Sequence, residues 1–171
     1  LILRILIGGF SLSPETASAM EALKVNRMLF RCIFDVQSGG IPFAVEHLAD
    51  KRTPNLLIVE ARGSQEEIFT ELETLANVCE PETRVILIGE HNDIEFFRAL
   101  TNQGISDYLI APITTEKLQE SIVKVFSGSG SDFDGRVIAF MGVEGGVGSS
   151  VISHNVARHL ADAYQSRVAV I

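Results

Sequence analysis

The chain is short of three things: cysteine, clustered positive charge and long apolar runs. Its two cysteines, Cys32 and Cys79, share no metal-ligand spacing. Buried free thiols in a reducing cytoplasm are expected rather than a disulfide. Lys and Arg number 14 against 22 Asp and Glu, a formal charge of −8. The basic residues are scattered singly, which speaks against nucleic acid as a partner, since that binding needs clustered cations to displace counterions. No apolar run approaches the roughly 20 residues needed to span a bilayer, and no stretch reads as a signal peptide.

What is present suffices for a core. Apolar residues make up 46% of the 171, too many for a disordered chain. The length fits one domain of about 100–150 residues plus a fragment. The chain lacks an initiator Met, opens in a strand-like run (Leu1 to Ile7) and closes in another at Val168 to Ile171, so a piece of a longer protein is expected.

Along the first 127 residues strand and helix patterns alternate. Leu3 to Ile7 reads as a buried parallel strand running into Gly8-Gly9. Ser13-Pro14 supplies an N-cap and a first-turn proline for a helix reaching about Val25. Met28 to Phe34 reads as a second strand, and a short helix covers about Pro42 to Ala49. Leu56 to Val59 is the third strand. Ser64 and Glu67 form a capping box ahead of a helix with Ile68, Leu72, Leu75 and Val78 at helical spacing. Arg84 to Ile88 is the fourth strand, and Asp93 caps a helix ending at Gly104. Asp107 to Ile110 is the fifth strand, and Thr114 opens a helix to about Phe126. The alternation predicts an α/β fold, a doubly wound five-stranded parallel sheet of order 2-1-3-4-5. A Gly/Ser linker follows (residues 128–134). Residues 135–171 then read as one β-α-β unit: a strand over Arg136 to Met141, a helix from about Ser149 to Tyr164, and a closing strand. Some 37 residues cannot bury a sheet of their own.

In such a fold ligands gather at the carboxyl ends of the strands. Those ends carry Gly8, Gly9 and Phe10, then Glu60, Gly89-Glu90 and Ala111-Pro112. With PNLLIVE, RVILIG and GISDYLIAPI, residues 1–127 resemble the CheY-like receiver domain of bacterial response regulators. That family uses an acidic pair after strand one for Mg²⁺, an Asp acceptor after strand three, a hydroxyl after strand four and a Lys before the strand-five Pro. The matching positions here are the Gly8-Gly9-Phe10 region, Glu60, Gly89 and Ala111. Mg²⁺ is usually held through carboxylates and waters, and nothing here neutralises a developing phosphoryl charge. The resemblance therefore implies a degenerate pocket without Mg²⁺-dependent phosphorylation and no catalytic or metal-binding residue. Glu60 either imitates a phosphorylated Asp or is an exposed loop residue. The resemblance also implies a cis peptide at Pro112. It puts Tyr108 at the family's switch position, against the alternative of a half-buried strand Tyr packing on the neighbouring helix. Ile94, Phe96, Phe97 and Leu100 exceed one buried stripe, and with Tyr108 they suggest a self-association face. The alternative is that both Phe rings pack inward.

Glu144, Gly145, Gly146, Val147, Gly148, Ser149 and Ser150 lie between a strand pattern and a helix pattern, the setting of a phosphate-cradling loop. The surrounding GRVIAFMGVEGGVGSSVISHNVARHLA resembles the start of MinD/ParA-like P-loop ATPases. Their two lysines fall at Glu144 and Ser149, while Ser150 holds the Mg²⁺-ligand position. ATP hydrolysis is not expected, and weak binding of nucleotide or sulfate is left open. His154 and His159, five apart, read as partly solvated helix residues.

A receiver-like domain, a linker and a deviant P-loop start, in that order, resemble the CpaE/TadZ proteins of the Flp (Tad) pilus assembly system. That resemblance implies a non-enzymatic assembly and localisation factor in the cytoplasm, associated peripherally with the membrane at a cell pole. Its implied partners are a second copy, the pilus assembly ATPase and inner-membrane platform proteins, with no cofactor beyond weak ATP/Mg²⁺ in a longer protein. The alternatives are a phosphorelay receiver with an unconventional acceptor, or a nucleotide-dependent ParA-like switch.

Overall fold

The runs LIGGFS, LLIVE and RVILIG are too short for amphipathic helices and too apolar to leave a face in water. Each becomes a strand buried almost throughout. The computed structural model describes residues 5–27, 29, 31–128, 138–164 and 168–170. Its strands are β1 (Leu6–Ser11), β2 (Ile33–Ser38), β3 (Leu56–Glu60), β4 (Arg84–Gly89) and β5 (Asp107–Ile110). All pair in parallel in the order β2-β1-β3-β4-β5, as the alternation predicts. The helices are α1 (Pro14–Ala22, continued by one 3₁₀ turn, Leu23–Val25), α2 (Ile41–Leu48), α3 (Gln65–Val78), α4 (Ile94–Asn102), α5 (Thr115–Gly128) and α6 (Ser149–Tyr164).

Strand alternation divides the core. Ile7, Leu56, Ile58, Ile86 and Ile88 pack against α1 and α5 through Met20, Leu23, Leu118 and Ile122. Phe10, Leu57, Val59 and Leu87 face the opposite way, onto α2, α3 and α4 through Ala44, Ile68, Leu72 and Phe96. Ser64 and Glu67 form the expected capping box, and Asp93 caps α4 with its side chain on the Glu95 N–H.

Three expectations change. The second strand runs over Ile33–Ser38 rather than Met28–Phe34; Met28 and Phe30 lie outside the described residues. Leu29 instead turns into the core at 1% exposure, its turn closed by Leu29 N to Asn26 O and Cys32 N to Leu29 O. An apolar residue before the strand thus plugs the sheet's end, while the edge strand itself is half exposed and tolerates Asp35 and Gln37. Second, Gly8 and Gly9 do not mark the end of β1. They lie within the sheet opposite Leu57 and Ile58, because α1 packs there: a Cβ on Gly9 would fall 2.6 Å from Met20 Sδ. The strand ends three residues beyond Gly8, at Ser11.

Third, the chain divides into two units, Leu1–Ser131 and Asp132–Ile171, and among the described residues the second forms a helix and no strand. Residues 138–141 and 168–170 are not in strands, in keeping with a segment too small to bury one. Val151 and Ile152 of α6 remain 64% and 53% exposed. Leu3, Arg4, linker residues 129–134, Arg136, Val137, residues 165–167 and Ile171 lie outside the described residues. Cys32 and Cys79 are free thiols, half-buried rather than buried.

Gly9→Ala should cost about 1–3 kcal/mol, the usual range for overpacking a core. Gly8→Ala, whose Cβ would stand 3.1 Å from Pro54 Cγ, should cost less. Urea denaturation of the two variants, compared at equal m-value, measures the difference.

Candidate functional site

Parity aims the central side chain. Leu56 and Ile58 point to the α1 side of the sheet, so Glu60, the next in step, leans the same way. There it meets the start of α1. Glu60 Oε2 accepts from Leu12 N–H at 2.8 Å and Ser13 N–H at 2.9 Å. Ser13 Oγ lies 2.8 Å from Oε1, 2.9 Å from Oε2 and 2.8 Å from Thr16 Oγ1. Ser13 is also the N-cap of α1. A negative charge at a helix N-terminus is favoured by the unpaired N–H groups and the helix dipole.

Glu60 is therefore 1% exposed and not the solvated loop residue the sequence left open. Its bonds run to Leu12 and Ser13 at the start of α1 and to Arg62. Burial pushes its carboxyl pKa up, but the Ser13 backbone and hydroxyl and the Leu12 N–H outweigh this and hold it below the ordinary range.

Arg62 lies over this carboxylate. Its Nη2 is 3.4 Å from Glu60 Oε1 and its Nε is 3.3 Å from Glu90 Oε1, joining the loops after β3 and β4. A second tie runs between the same loops, from His91 Nε2 to Gly63 O at 2.8 Å. What remains is a cleft of about 270 Å³ lined by Ser13, Glu15, Thr16, Arg62, Glu90, Ala111 and Pro112. The Ala111–Pro112 peptide is cis. Among the described residues no three His, Cys, Asp or Glu side chains converge as metal ligands. Glu60, at the acceptor position, already accepts protein hydrogen bonds, and Glu15 and Glu90 are the other carboxylates lining the cleft.

The hydroxyl position is occupied in another manner. Gly89 is buried at the end of β4, and a Cβ there would lie 2.7 Å from Tyr108 Oη. The Tyr108 ring fills that space, edge-on to Phe96 at 5.6 Å, and its hydroxyl donates to His91 O at 2.9 Å. Burial raises the Tyr108 pKa, helped by the charge of Glu90 and opposed by the His91 hydrogen bond.

The expected interaction face divides in two. Phe96 and Leu100 belong to the core at 2% and 0% exposure. Phe96 is ringed by Phe69, His91 and Tyr108, because α4 has one apolar stripe and these residues lie on it. Ile94 and Phe97 are exposed, and Ile110 of β5, which the sequence did not single out, joins them as an exposed apolar side chain. Arg62 and His91 were likewise missed, because Glu90 lies 28 residues from Arg62 and Gly63 28 from His91, and no local pattern links them.

In the second unit, Gly146 and Gly148 take φ of +82° and +84°, the left-handed region that favours glycine. Ser149 and Ser150 open α6, with Glu144, Gly145 and Val147 completing the turn before it. No lysine stands in this loop. A cleft of about 230 Å³ beside it is lined by Phe140, Met141, Gly142, Val143, Val147, Ser149 and Ile152, almost all apolar. His154 and His159 are exposed, with His154 Nδ1 2.7 Å from Ser150 O. No helix of the described residues is long and apolar enough to cross a membrane.

No protein-family model matches the chain, and no curated protein does. Solved structures do. The pilus assembly protein CpaE of Caulobacter crescentus CB15 is 34% identical over 71% of this chain and 92% of its own, with a TM-score of 0.68. A CpaE2 pilus assembly protein of Sinorhizobium meliloti 1021 is 30% identical over 71% and 99%, with a TM-score of 0.69. A histidine kinase signal receiver domain from Clostridium thermocellum, 17% identical over 73% and 99% with a TM-score of 0.55, shares the fold alone.

Glu60→Gln should lower stability at pH 7 by about 1–3 kcal/mol, the cost of disturbing a buried hydrogen-bonded group. Because the native carboxyl pKa is lowered, its contribution is complete above the unfolded-state pKa and drains away as pH falls through the native one. The gap between wild type and variant should thus narrow on acidification, as read from urea midpoints at pH 7 and pH 3.

Proposed function

The chain belongs to the CpaE family of pilus assembly proteins, and from that premise we propose that it is a non-enzymatic assembly and localisation factor of the Flp (Tad) pilus machinery. Its receiver fold works as a docking and pairing module and not as a phosphorylation switch. The observation that carries this is the commitment of Glu60 to the N-terminus of α1. A phosphoacceptor needs a free carboxylate oxygen, a divalent cation beside it and a positive group to take up the developing charge. Glu60 has spent its oxygens on Leu12 and Ser13, and Gly89 and Ala111 offer neither hydroxyl nor ammonium.

In this reading residues 135–171 begin a MinD/ParA-like domain whose bare glycine loop binds nucleotide weakly at most. The protein acts in the cytoplasm, held peripherally at the membrane near a pole through the assembly ATPase and inner-membrane platform proteins. A second copy pairs through the surface of α4 and β5, where Ile94, Phe97 and Ile110 are exposed.

Incubation with acetyl phosphate and Mg²⁺ should leave no hydroxylamine-sensitive label, and magnesium with beryllofluoride should not shift the thermal midpoint. Stable Mg²⁺-dependent labelling would instead support a phosphorelay receiver. Phe97→Glu should convert a dimer to a monomer in light scattering coupled to size exclusion without changing the far-ultraviolet circular dichroism. An unchanged mass would remove this face from the pairing.

A further inference from the structure

The sheet edge opposite β5 is β2, and its backbone is half used. Ile33 N–H and Gly39 N–H donate inward, to Ile5 O and Ser11 O. Alternate residues of a parallel strand bond to opposite neighbours, so the N–H and C=O groups of Phe34, Val36 and Ser38 face outward. Nothing in IFDVQS guards that row. The strand has neither Lys nor Pro and pairs with β1 in unbroken register, without a bulge, although these are the usual protections of an edge. Its single charge, Asp35, accepts from Gln37 Nε2 at 2.7 Å. α2 packs chiefly on β1 and β3 and leaves the near side of β2 bare. There Ile33 is 48% exposed at one end of the strand and Phe43 39% exposed at the other, the Phe43 ring lying against Gly39.

We propose that a second copy of this chain covers this edge, β2 against β2 in antiparallel about a twofold axis at Val36, joining two five-stranded sheets into one. The axis keeps the α2 sides of both copies on the same side, so residues that face each other must share a face. A centre at Asp35 would set two carboxylates directly against each other, which is destabilising. A centre at Val36 sets Asp35 against Gln37, whose amide has a second N–H for the other copy's carboxylate. Phe34 then faces Ser38. The exposed Ile33 faces Gly39, whose missing side chain admits it onto Phe43. The twofold makes each of these contacts twice. Since β2 and β5 are opposite edges, copies joined at both would follow one another in a row.

Strand contacts of six residues a side are small beside a standard interface, so they are read at high concentration. The test uses a full chain carrying Phe97→Glu, which removes pairing through α4 and leaves β2 untouched. Its mass in sedimentation equilibrium should rise from monomer towards dimer along a concentration series. Ile33→Lys, at an exposed position, and Ser38→Pro, which removes an outward N–H and no bond to β1, should each hold it at monomer with the circular dichroism unchanged. Register is read in the same chain with Cys32→Ala and Cys79→Ala. Residues 35 and 37 of opposite copies form a non-hydrogen-bonded pair, with Cα atoms about 4.5 Å apart, within reach of a disulfide. A mixture of Asp35→Cys and Gln37→Cys chains should therefore give several times more disulfide dimer under mild oxidation than either chain alone. A mass that stays monomeric, a dimer that survives Ile33→Lys or Ser38→Pro with the fold intact, or equal cross-linking in the unmixed samples overturns the proposal. None of these outcomes bears on the pilus-assembly reading, which can stand or fall separately.

Discussion

A carboxylate buried at the end of a central strand is costly unless each of its oxygens is satisfied. Glu60 meets this condition with the N–H groups of Leu12 and Ser13 and with the Ser13 hydroxyl, at a helix end whose dipole favours negative charge. No buried side-chain polar atom among the described residues lacks a partner. Much of the sheet's carboxyl edge depends on this bond set. It fixes the loop after β1, positions the cap of α1, and sets the carboxylate against which Arg62 lies.

The same arrangement underlies the proposed absence of phosphoryl chemistry. An acceptor carboxylate reacts through a free oxygen, and at Glu60 stability and reactivity would compete for the same lone pairs. The polar side chains of the neighbouring loops are likewise turned upon their neighbours, Arg62 on Glu60 and Glu90, His91 on the Gly63 carbonyl. These partly exposed pairs are individually weak, yet both cross between the same two loops. At the other end of β5, Asp107 is satisfied in the same manner by Ser121 and Lys124 of α5. The polar groups around this sheet hold helices and loops in place, and Ile94, Phe97 and Ile110 of α4 and β5 are among its exposed apolar side chains.

Much of this was legible in the residues. The runs LLIVE and RVILIG could only be doubly buried strands, and Ser13, Ser64 and Asp93 announced their helices because a cap works through bonds to residues two or three places away. The losses at Glu60, Gly89 and Ala111 were equally visible. Other features depended on register. Gly8 and Gly9 looked like a strand terminus, since glycines often end strands, but Met20 of α1 required them within the sheet. Phe96 and Phe97 are identical in chemistry, and the face that α4 turns to the core made one a core residue and left the other exposed.

The sequence alone determined the order and type of the elements, because helix caps and hydrophobic periods act between residues a few positions apart. It also determined which charged groups were missing, because an absent side chain needs no partner to be noticed. Only the tertiary structure decided where the remaining groups point. Glu60 meets Ser13 from 47 positions away, Arg62 meets Glu90 from the next loop, and Tyr108 enters the space above Gly89. Such meetings follow from strand pairing and side-chain parity, which bring distant residues into contact and leave no trace in local spacing.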